Sequence, residues 1–540
     1  MSRLPFFTRN NLLILLAALF LMATGNFALF SRLAAIFPPG HGNLLLLCSL
    51  AVFFTCLTSL LLLWLNHGRA SRWTLALIVL LAAMAAYFMD KFGVVMDVVM
   101  LDNIAQTNVH EAAGLMSSSF ILRTVLLGLL PAGLILRFAP KPERPLIELK
   151  SKLLLSLALL AVLAVAILPF SAHYASFIRE HKTTRFYANP NYFIYSLAKY
   201  LPDQLKSVAS GPLVATATDT VEEDANHPRK ELVILVVGET ARADRFSLNG
   251  YHRLTNPLLA KEDVVSLSNV SSCGTSTGES VPCMFSVLKR KEFDREKAAH
   301  YQNILDVLNE HGVEVLWRDN NSDSKGVATR VTYEDFKTPT LNPDCDTECR
   351  DTGMLHGLDQ YIAERKGKDI LIVLHQMGNH GPEYYRRYPK AFERFTPVCR
   401  NSDLGSCTRE EIDNAYDNAI LYTDYFLDQV IQLLKKHDDE YATAMLYVSD
   451  HGESLGEHGI YLHAAPYMIA PKEQTHIPAI IWMGKHFDYT LDQLKPYRDQ
   501  PFSHDDLFCT LMVTYELKSK TCESENQVMR HNMEVISTTK

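Results

Sequence analysis

The first third of the chain consists of long apolar runs separated by short polar connectors. Five of these runs are long enough to cross a bilayer, at residues 12–30, 44–65, 73–89, 120–138 and 153–170. A single run of this kind also fits a buried core helix, but five in series with charged connectors indicate membrane spans. The pattern therefore predicts a five-helix transmembrane domain over residues 1–171.

The basic residues of this region predict its orientation, because short loops rich in Lys and Arg stay in the cytoplasm. They concentrate before the first span, between the second and third spans, and around the connector from the fourth span to the fifth. These residues are Arg3, Arg9, Arg69, Arg72, Arg137, Lys141, Arg144, Lys150 and Lys152. The other two connectors contain only Arg32 and Lys91. With five spans and a cytoplasmic N-terminus, everything after about residue 170 is expected to be exported.

Residues 172–230 form an interfacial and flexible linker in this interpretation. Its first half is rich in aromatic and basic residues, which suit either the lipid headgroup layer or packing against the exported domain. From Pro202 to His227 the composition turns to Ser, Ala, Thr, Asp and Glu, which is typical of a flexible tether.

From residue 231 to residue 540, short β-branched runs alternate with helical stretches. The runs lie at 232–237, 313–317, 370–374, 444–448 and 477–482. This alternation predicts a periplasmic α/β domain with a largely parallel central sheet. Ligands of such sheets gather beyond the carboxyl ends of the strands, so the residues that follow each strand are the candidates for chemistry.

Metal-binding side chains follow four of the predicted strands. Glu239 follows the first, Asn321 the second, His380 the third, and the pair Asp450 and His451 the fourth. Any one of them alone is more often a cap or a solvated loop residue. Their repetition at successive strand ends predicts a metal site of carboxylates and imidazoles.

A turn rich in Gly and hydroxyl residues, 273–283, offers a nucleophile at the start of a predicted helix. Helix amides at that point favour an anion, and a hydroxyl beside a metal ion ionises readily enough to attack phosphorus. Thr275, Ser276 and Thr277 all qualify, and each also fits a simple helix cap.

Cysteine usage agrees with export. Cys48 and Cys56 lie within a span, and the other eight cysteines form four close couples: Cys273/Cys283, Cys345/Cys349, Cys399/Cys407 and Cys509/Cys522. The couples predict disulfides, the last with the weakest support, whereas a structural zinc site of thiolates lacks its paired CxxC signature. A net charge of −8 without a dense basic tract argues against a nucleic-acid partner.

Several of these stretches resemble the lipid A phosphoethanolamine transferases of Gram-negative bacteria. This family includes the mobile colistin-resistance enzymes and lies within the alkaline phosphatase and sulfatase superfamily. The matching stretches are VVGETARAD at 236–244, SSCGTST at 271–277, SVPCMFS at 280–286, LWRDNNSDSKGV at 316–327, LHQMGNHGP at 374–382 and YVSDHGESLGE at 447–457. The resemblance extends to the five-span N-terminus and so covers nearly the whole chain.

The resemblance implies roles for individual residues. It implies zinc ligands at Glu239, Thr277, Asp450 and His451, with Thr277 as the nucleophile. Around the transferred phosphate it implies Asn321, Lys325, His380 and His463, with Glu453 nearby. Relatives often have Asn where His458 stands and Gly where Ala464 stands, so the proton donor is not assigned to one histidine.

A polar stripe lies in the exported connector between the third and fourth spans. Asn103, Thr107 and Glu111 recur every four residues and share one face of a helix. A solvated face explains such a stripe as well, but the resemblance implies that these positions contact the lipid headgroup, with Glu111 pairing with its ammonium.

The implied activity takes phosphoethanolamine from phosphatidylethanolamine, holds it on Thr277, and passes it to a phosphate of lipid A in the inner membrane. Three alternatives are weaker. A sulfatase needs a Cys-x-Pro-x-Arg context, and Met284, Phe285 and Ser286 follow Cys283 instead. A phosphoglycerol transferase of the lipoteichoic acid synthase type fits the cysteine couples and motifs less well. An inactive scaffold would be expected to lack Thr277 or Asp450. The oligomeric state and the particular lipid A phosphate do not follow from the sequence.

Overall fold

A computed structural model describes residues 8–107, 115–206, 212–222 and 229–522 of the chain. The chain forms two compact units. The membrane unit contains residues 1–101 and 116–205, and the periplasmic unit contains residues 102–115 and 206–540. The helices of the first unit continue to Leu205 and so include part of the segment that the sequence assigned to a linker.

The helices of the N-terminal half are apolar and lie end to end along the sequence with short connectors. They are α1 Arg9–Thr24, α2 Phe27–Ile36, α3 Leu44–Leu65, α4 Ser71–Phe92, α5 Val98–Gln106, α6 Ser118–Arg123, α7 Leu130–Phe138, α8 Pro145–Ile167, α9 Ser171–Glu180 and α10 Asn191–Lys206. A π-helical turn, Thr124–Leu129, joins α6 to α7. In the part of the chain that is described, four helical segments are long and apolar enough to cross a membrane: Leu44–Leu65, Gly68–Phe92, Ser118–Phe138 and Pro145–Phe170.

The predicted first span is broken. Helices α1 and α2 meet at Gly25 and Asn26 with a bend of 62°, so the count rises to five spans only if this pair is one span. A break frees backbone groups, which are costly in an apolar layer unless the protein satisfies them. Asn26 Nδ2 donates to the carbonyl of Leu21 over 3.0 Å, and Asn189 Nδ2 donates to the carbonyl of Gly25 over 3.1 Å. Two buried amides therefore stabilise the bend.

Part of the predicted tether is ordered. Strand β1, Val221–Glu222, pairs antiparallel with the last strand of the chain, β12, Leu517–Lys518. The polar composition of this segment fits a short edge pairing as well as a tether, and composition alone does not distinguish the two.

The remaining strands of the periplasmic unit are β2 Glu231–Gly238, β3 Val265–Ser271, β4 Glu314–Asp319, β5 Thr332–Asp335, β6 Ile370–His375, β7 Ala442–Ser449, β8 Ser454–Leu455, β9 Tyr461–Leu462, β10 His476–Met483 and β11 Phe502–Ser503. Eight of them form one sheet in the order β11-β3-β10-β7-β2-β6-β4-β5. The sheet is mixed, because β10 runs antiparallel to both β3 and β7. The prediction of a largely parallel sheet holds for β2, β4, β5, β6 and β7, and it is wrong for the run at 477–482.

Both faces of the sheet are covered, which explains why its central strands are apolar throughout. The helices of this unit are α11 Thr277–Met284, α12 Arg295–Ala299, α13 Ile304–Glu310, α14 Leu358–Ala363, α15 Arg409–His437, α16 Lys472–Thr475, α17 Leu491–Leu494 and α18 Leu507–Thr514. Along β2, Leu232, Ile234 and Val236 pack with residues of α15, and the alternate residues pack with α11, α13 and α18. Each such buried side chain contributes about 1.5–3 kcal/mol of transfer free energy. The central strands are thereby fixed, and so are the positions of their carboxyl ends.

All four cysteine couples are bonded. The disulfides are Cys273–Cys283, Cys345–Cys349, Cys399–Cys407 and Cys509–Cys522. The first closes the turn that carries Thr275, Ser276 and Thr277, and the second lies just before Asp351 in the chain.

Candidate active site

The carboxyl edge of the sheet brings together three side chains that can bind a metal ion. Glu239 directly follows β2, and Asp450 and His451 directly follow β7, the parallel neighbour of β2. All three are fully buried, and one ligand atom from each lies within 4.8 Å of the others. Adjacent parallel strands thus place two carboxylates and an imidazole at one point.

Thr277 completes this cluster. It is the first residue of α11, and its hydroxyl donates to Glu239 Oε2 over 3.0 Å and lies 3.4 Å from His451 Nε2. The other two hydroxyls of the turn are placed differently. Thr275 donates to the carbonyl of Ala465 over 2.7 Å, and Ser276 is the N-cap residue of α11. The structure therefore separates three residues that sequence reasoning alone left equivalent.

The electrostatics of the cluster favour binding of a cation. Burial raises the pKa of Glu239 well above its usual range, and the charge of Asp450 raises it further. Burial also raises the pKa of Asp450 to about 7, against backbone donors that lower it. Among the described residues, Glu239 Oε1 and Asp450 Oδ2 are buried without a hydrogen-bond partner. Two carboxylate oxygens left in this way are costly unless a positive charge lies between them.

The donor set suits zinc. Zn²⁺ typically has four ligands, and in catalytic sites imidazoles and carboxylates hold it while a further oxygen takes the remaining position. His451 Nδ1 lies 2.9 Å from the carbonyl of Gly452, a contact that assigns the proton to Nδ1 and leaves Nε2 as the ligand atom. Burial lowers the pKa of His451 well below its usual range, which keeps this ring neutral. Glu239, Thr277, Asp450 and His451 therefore fit a zinc ion.

Asn321 lies behind the cluster. Its amide nitrogen donates to Glu239 Oε2 and to the carbonyl of Gln376, both over 2.7 Å. Asn321 thereby orients the Glu239 carboxylate and ties the end of β4 to the end of β6. This contact is different from the phosphate contact that the resemblance implies.

His463, His380 and Glu453 form a second group beside the cluster. The ring centroids of His451 and His463 are 4.5 Å apart, and those of His380 and His463 are 5.6 Å apart. His463 Nδ1 lies 3.1 Å from Glu453 Oε2, and the hydroxyl of Tyr384 donates to Glu453 Oε1 over 3.0 Å. Because both oxygens of the buried Glu453 contact protein groups, Glu453 is placed to orient His463.

Lys325 and His458 are less enclosed. Lys325 is half-buried, and its Nζ donates to the carbonyl of Ser322 over 2.7 Å. Burial lowers the pKa of His380 well below its usual range, and the positive charge of Lys325 adds a smaller contribution in the same direction. His458 is exposed at the turn between β8 and β9, where its φ is 53°. The additional imidazole expected beside the site thus lies on the surface of this hairpin.

The polar stripe is described in part. Asn103 lies in α5, and the backbone N–H of Thr107 donates to the carbonyl of Asn103 over 2.9 Å, which fits the predicted helical spacing. Glu111 lies outside the described residues.

Two buried residues that the sequence analysis did not predict, His504 and Asp351, fix the loops of the site through hydrogen bonds. His504 Nδ1 accepts from the backbone N–H of Cys273 over 3.0 Å, and its Nε2 donates to the carbonyl of Ser449 over 2.9 Å. It joins the turn of Thr277 to the strand end of Asp450. Burial lowers the pKa of His504 to about 4, so the ring is neutral and can accept on one side while it donates on the other.

Asp351 is the second of these residues, and it fixes the loop after β6 by hydrogen bonds. Its carboxylate accepts from Asn320 Nδ2 and from the backbone N–H of Met377, each over 2.8 Å, and from the backbone N–H of Gly378 over 3.2 Å. A Cβ at Gly378 would lie 2.9 Å from the carbonyl oxygen of Glu239. This loop therefore packs directly against the backbone of Glu239, which is a member of the metal-binding cluster. Neither His504 nor Asp351 follows a predicted strand end, and no local pattern marks them.

Two family models match the chain. One, described as "Phosphoethanolamine transferase EptA/EptB", matches residues 54–205, and the other, described as "Sulfatase", matches residues 231–514. The phosphatidylethanolamine transferase Mcr-1 of Escherichia coli is 42% identical over 95% of this chain and 96% of its own. The phosphoethanolamine transferase EptA of Escherichia coli (strain K12) is 39% identical over 87% of this chain and 86% of its own.

One solved structure spans both units. The integral membrane protein lipooligosaccharide phosphoethanolamine transferase A (EptA) from Neisseria meningitidis superposes with a TM-score of 0.90 at 35% sequence identity, covering 94% of this chain and 96% of its own. The similarity therefore includes the helical membrane unit and the mixed-sheet unit.

Replacing Asp450 by Asn should remove bound metal from the purified protein. The substitution keeps the shape of the side chain but removes a negative charge from the buried cluster, and Zn²⁺ affinity depends on such deprotonated ligands. Elemental analysis of the full chain measures zinc per protein. Asp439→Asn, which changes an exposed carboxylate of the same unit, is the matched control. Equal zinc content in both variants would place the metal elsewhere.

Replacing His504 should change how stability depends on pH. The folded state keeps His504 neutral down to a pKa of about 4, whereas the unfolded chain binds a proton near pH 6.5. The contribution of neutral His504 is therefore present above pH 6.5 and is lost as the pH falls from about 6.5 to about 4. His504→Gln, whose amide can still donate to Ser449, should lose less stability over this interval than the wild type. Urea unfolding followed by tryptophan fluorescence measures the difference, and identical pH profiles would contradict the buried neutral ring.

Proposed function

The chain belongs to the phosphoethanolamine transferase family, and from this premise we propose that it transfers phosphoethanolamine from phosphatidylethanolamine to a phosphate group of lipid A. The relative Mcr-1 is a phosphatidylethanolamine transferase, and the neisserial relative is a lipooligosaccharide phosphoethanolamine transferase. One observation carries the proposal. A threonine hydroxyl at a helix N-terminus lies against a buried cluster of two carboxylates and an imidazole. That arrangement suits attack by an alcohol on a phosphodiester.

Zinc is the cofactor in this proposal, held by Glu239, Thr277, Asp450 and His451. When bound, the ion supplies positive charge that favours the ionised threonine hydroxyl and offsets the charge that develops on the phosphoryl oxygens. The unpartnered oxygens of Glu239 and Asp450 support this assignment.

The first displacement uses Thr277 as the nucleophile. Glu239 accepts a hydrogen bond from its hydroxyl over 3.0 Å and so fixes the direction of the oxygen. The Thr277 oxygen forms a bond to phosphorus, and the bond from phosphorus to the glycerol oxygen of phosphatidylethanolamine breaks. Phosphoethanolamine stays on Thr277, and diacylglycerol leaves. The N-terminal amides of α11 stabilise the added negative charge.

The leaving oxygen needs a proton, and His463 is placed to supply it. Glu453 holds one side of its ring, which orients the imidazole toward the cluster. His380, next to His463, and the ammonium of Lys325 offer hydrogen bonds to the phosphoryl oxygens. In the second displacement a hydroxyl of a lipid A phosphate gives its proton back to His463 while its oxygen attacks the phosphothreonine. The bond from phosphorus to the Thr277 oxygen breaks, and that oxygen leaves in the ionised form that began the cycle.

The alternative functions differ in the acceptor or in the transferred group. Transfer of phosphoethanolamine or phosphoglycerol to another envelope glycan uses the same nucleophile and metal site. Sulfatase chemistry is disfavoured although a sulfatase model matches the domain, because Cys283 is bonded to Cys273 and cannot serve as a modified nucleophile.

Placement at the exported face of the inner membrane follows from the spans and the basic connectors. Domain limits of 1–171, 172–230 and 231–540 remain the proposal from sequence, and the compact units divide near Leu205. No nucleic-acid partner is proposed.

Replacing Thr277 by Ala should abolish transfer and leave most zinc binding, because the hydroxyl is the one uncharged oxygen ligand beside two carboxylates and an imidazole, and it contributes no core packing. Thr277→Ser should keep part of the activity, since it retains the attacking oxygen. Mass spectrometry of the peptide that contains Thr277, after incubation with donor alone, should detect one added phosphoethanolamine in the wild type and none in Thr277→Ala. An active Thr277→Ala enzyme would move the nucleophile to Ser276 or Thr275.

Expression in a susceptible Gram-negative host should add phosphoethanolamine to lipid A and raise resistance to polymyxins such as colistin. A free phosphate carries roughly −1.5 to −2 charges at neutral pH, and esterification with ethanolamine removes an ionisation and adds an ammonium. Binding of a polycationic peptide weakens accordingly. Mass spectrometry of lipid A and the inhibitory concentration of colistin measure both effects, with Thr277→Ala as the inactive control. Unchanged lipid A together with a modified glycan would favour the alternative acceptor.

A further inference from the structure

A cavity with charged walls lies within the membrane unit. Its volume is about 440 Å³, and it is lined by Phe27, Tyr87, Asp90, Lys91, Ser119 and Arg123. These residues come from the start of α2, the end of α4 and the start of the next span, α6. In the orientation predicted by the basic connectors, these helix ends face the exported side.

Part of this polar lining has a structural role. Asp90 Oδ1 accepts from the backbone N–H of Ala28 over 2.9 Å, and Arg123 Nη2 donates to the carbonyl of Thr24 over 3.3 Å. Asp90 and Arg123 also pair with each other. The pair thus satisfies backbone groups at the break between α1 and α2, in addition to those that Asn26 and Asn189 satisfy.

That role does not account for the whole site. Lys91 adds a second cation to the wall, in the last turn of α4. The hydroxyls of Tyr87, Ser117 and Ser119 form a hydrogen-bonded group at the same wall, with distances of 2.7 to 3.0 Å. Asp90, Lys91 and Arg123 lie within the membrane segments Gly68–Phe92 and Ser118–Phe138. Ionisable side chains within such segments are rare, usually face the bundle interior or a cavity, and often mark a ligand site.

The lining matches a ligand that carries both signs of charge. Lys91 and Arg123 offer donors to a phosphodiester, whose oxygens accept charge-assisted hydrogen bonds. A carboxylate has about four acceptor positions, so Asp90 can accept from an ammonium beyond the two contacts above. Phe27, which is largely exposed, adds an aromatic ring to the lining, and aromatic rings attract an ammonium.

We propose that this cavity binds the headgroup of a phospholipid with a phosphodiester and a primary ammonium. The inference deepens the proposed function, on which it rests for the presence of such a lipid as donor. The site consists of membrane-unit residues and does not include Thr277 or the metal-binding cluster. It would retain donor lipid between catalytic cycles.

Lipid binding to the full-length protein tests the proposal. The Thr277→Ala chain is used throughout, so that the lipid is not consumed. Native mass spectrometry of the detergent-solubilised protein measures the bound fraction as phosphatidylethanolamine, phosphatidylcholine or phosphatidylglycerol is added. Four forms are compared: the Thr277→Ala parent and its combinations with Lys91→Ala, Lys91→Arg and Lys150→Ala. Lys150 is exposed near the start of α8, at the predicted cytoplasmic end, and its replacement removes one cation outside the cavity.

The parent should bind phosphatidylethanolamine more tightly than the other two lipids. Phosphatidylglycerol lacks the ammonium, and the quaternary ammonium of phosphatidylcholine cannot donate to Asp90. Lys91→Ala should weaken phosphatidylethanolamine binding about tenfold, the loss expected for one charge-assisted hydrogen bond, while Lys91→Arg restores it and Lys150→Ala has no effect. An unchanged thermal unfolding midpoint shows that Lys91→Ala is folded.

Other results overturn the proposal. Equal binding by the parent and Lys91→Ala, or an equal loss in Lys150→Ala, removes the cavity as the binding site. Equal binding of the three lipids removes the headgroup chemistry. The proposed function is tested separately, by mass spectrometry of lipid A from cells. Unmodified lipid A would contradict the proposed function even if lipid binding in vitro depended on Lys91.

Discussion

Two fully buried carboxylates, Glu239 and Asp450, face one another at the carboxyl edge of the sheet. Like charges this close in an apolar surrounding cannot both stay ionised unless a cation compensates them. Protein groups supply only part of the compensation. Asn321 donates to Glu239 over 2.7 Å, and the backbone N–H of Thr240 donates to Asp450 over 3.1 Å. The nearby histidines His451 and His380 have lowered pKa values, mainly through burial, and bring no charge. A divalent ion resolves this imbalance, and much of the surrounding structure keeps the donors where such an ion needs them.

The supporting structure acts mainly through hydrogen bonds from side chains to backbone. His504 ties the strand end of Asp450 to the disulfide-closed turn of Thr277, and Asp351 ties the loop after β6 to the end of β4. Thr240, next to Glu239, has a φ of 50°, an uncommon value for a β-branched residue, and the hydroxyl of Tyr416 donates to its carbonyl over 2.6 Å. Strain of this kind persists only where neighbouring contacts enforce it. The ligand geometry is therefore set by the folded unit before any ion or substrate binds.

Sequence reasoning located the strand-end residues because periodicity and β-branched runs mark strands, and parallel strands bring their ends to one edge. It could not choose Thr277 over Thr275 and Ser276, since that choice depends on which hydroxyl faces β2 and β7. His504 and Asp351 were missed because their partners are distant backbone groups without a sequence signature. The antiparallel direction of β10 was missed for a related reason, because its apolar run reads the same in either direction. The bend at Gly25 was missed because the break is short and apolar residues lie on both sides of it.

In the membrane unit, as in the active site, buried polar groups need partners that the surroundings do not supply. Where α1 breaks from α2, lipid cannot satisfy the freed amides and carbonyls, so protein side chains must do so. Asn26 and Asn189 donate to the carbonyls of Leu21 and Gly25. Asp90 accepts from the N–H of Ala28, and Arg123 donates to the carbonyl of Thr24. A straight apolar helix would need none of these four residues. Polar side chains are retained here because the irregular backbone borders a cavity, and Lys91 also lines this cavity.

Both proposed substrates are lipids. Anchoring the catalytic unit to a membrane unit therefore raises the effective concentration of donor and acceptor at Thr277, without any additional contact in the active site.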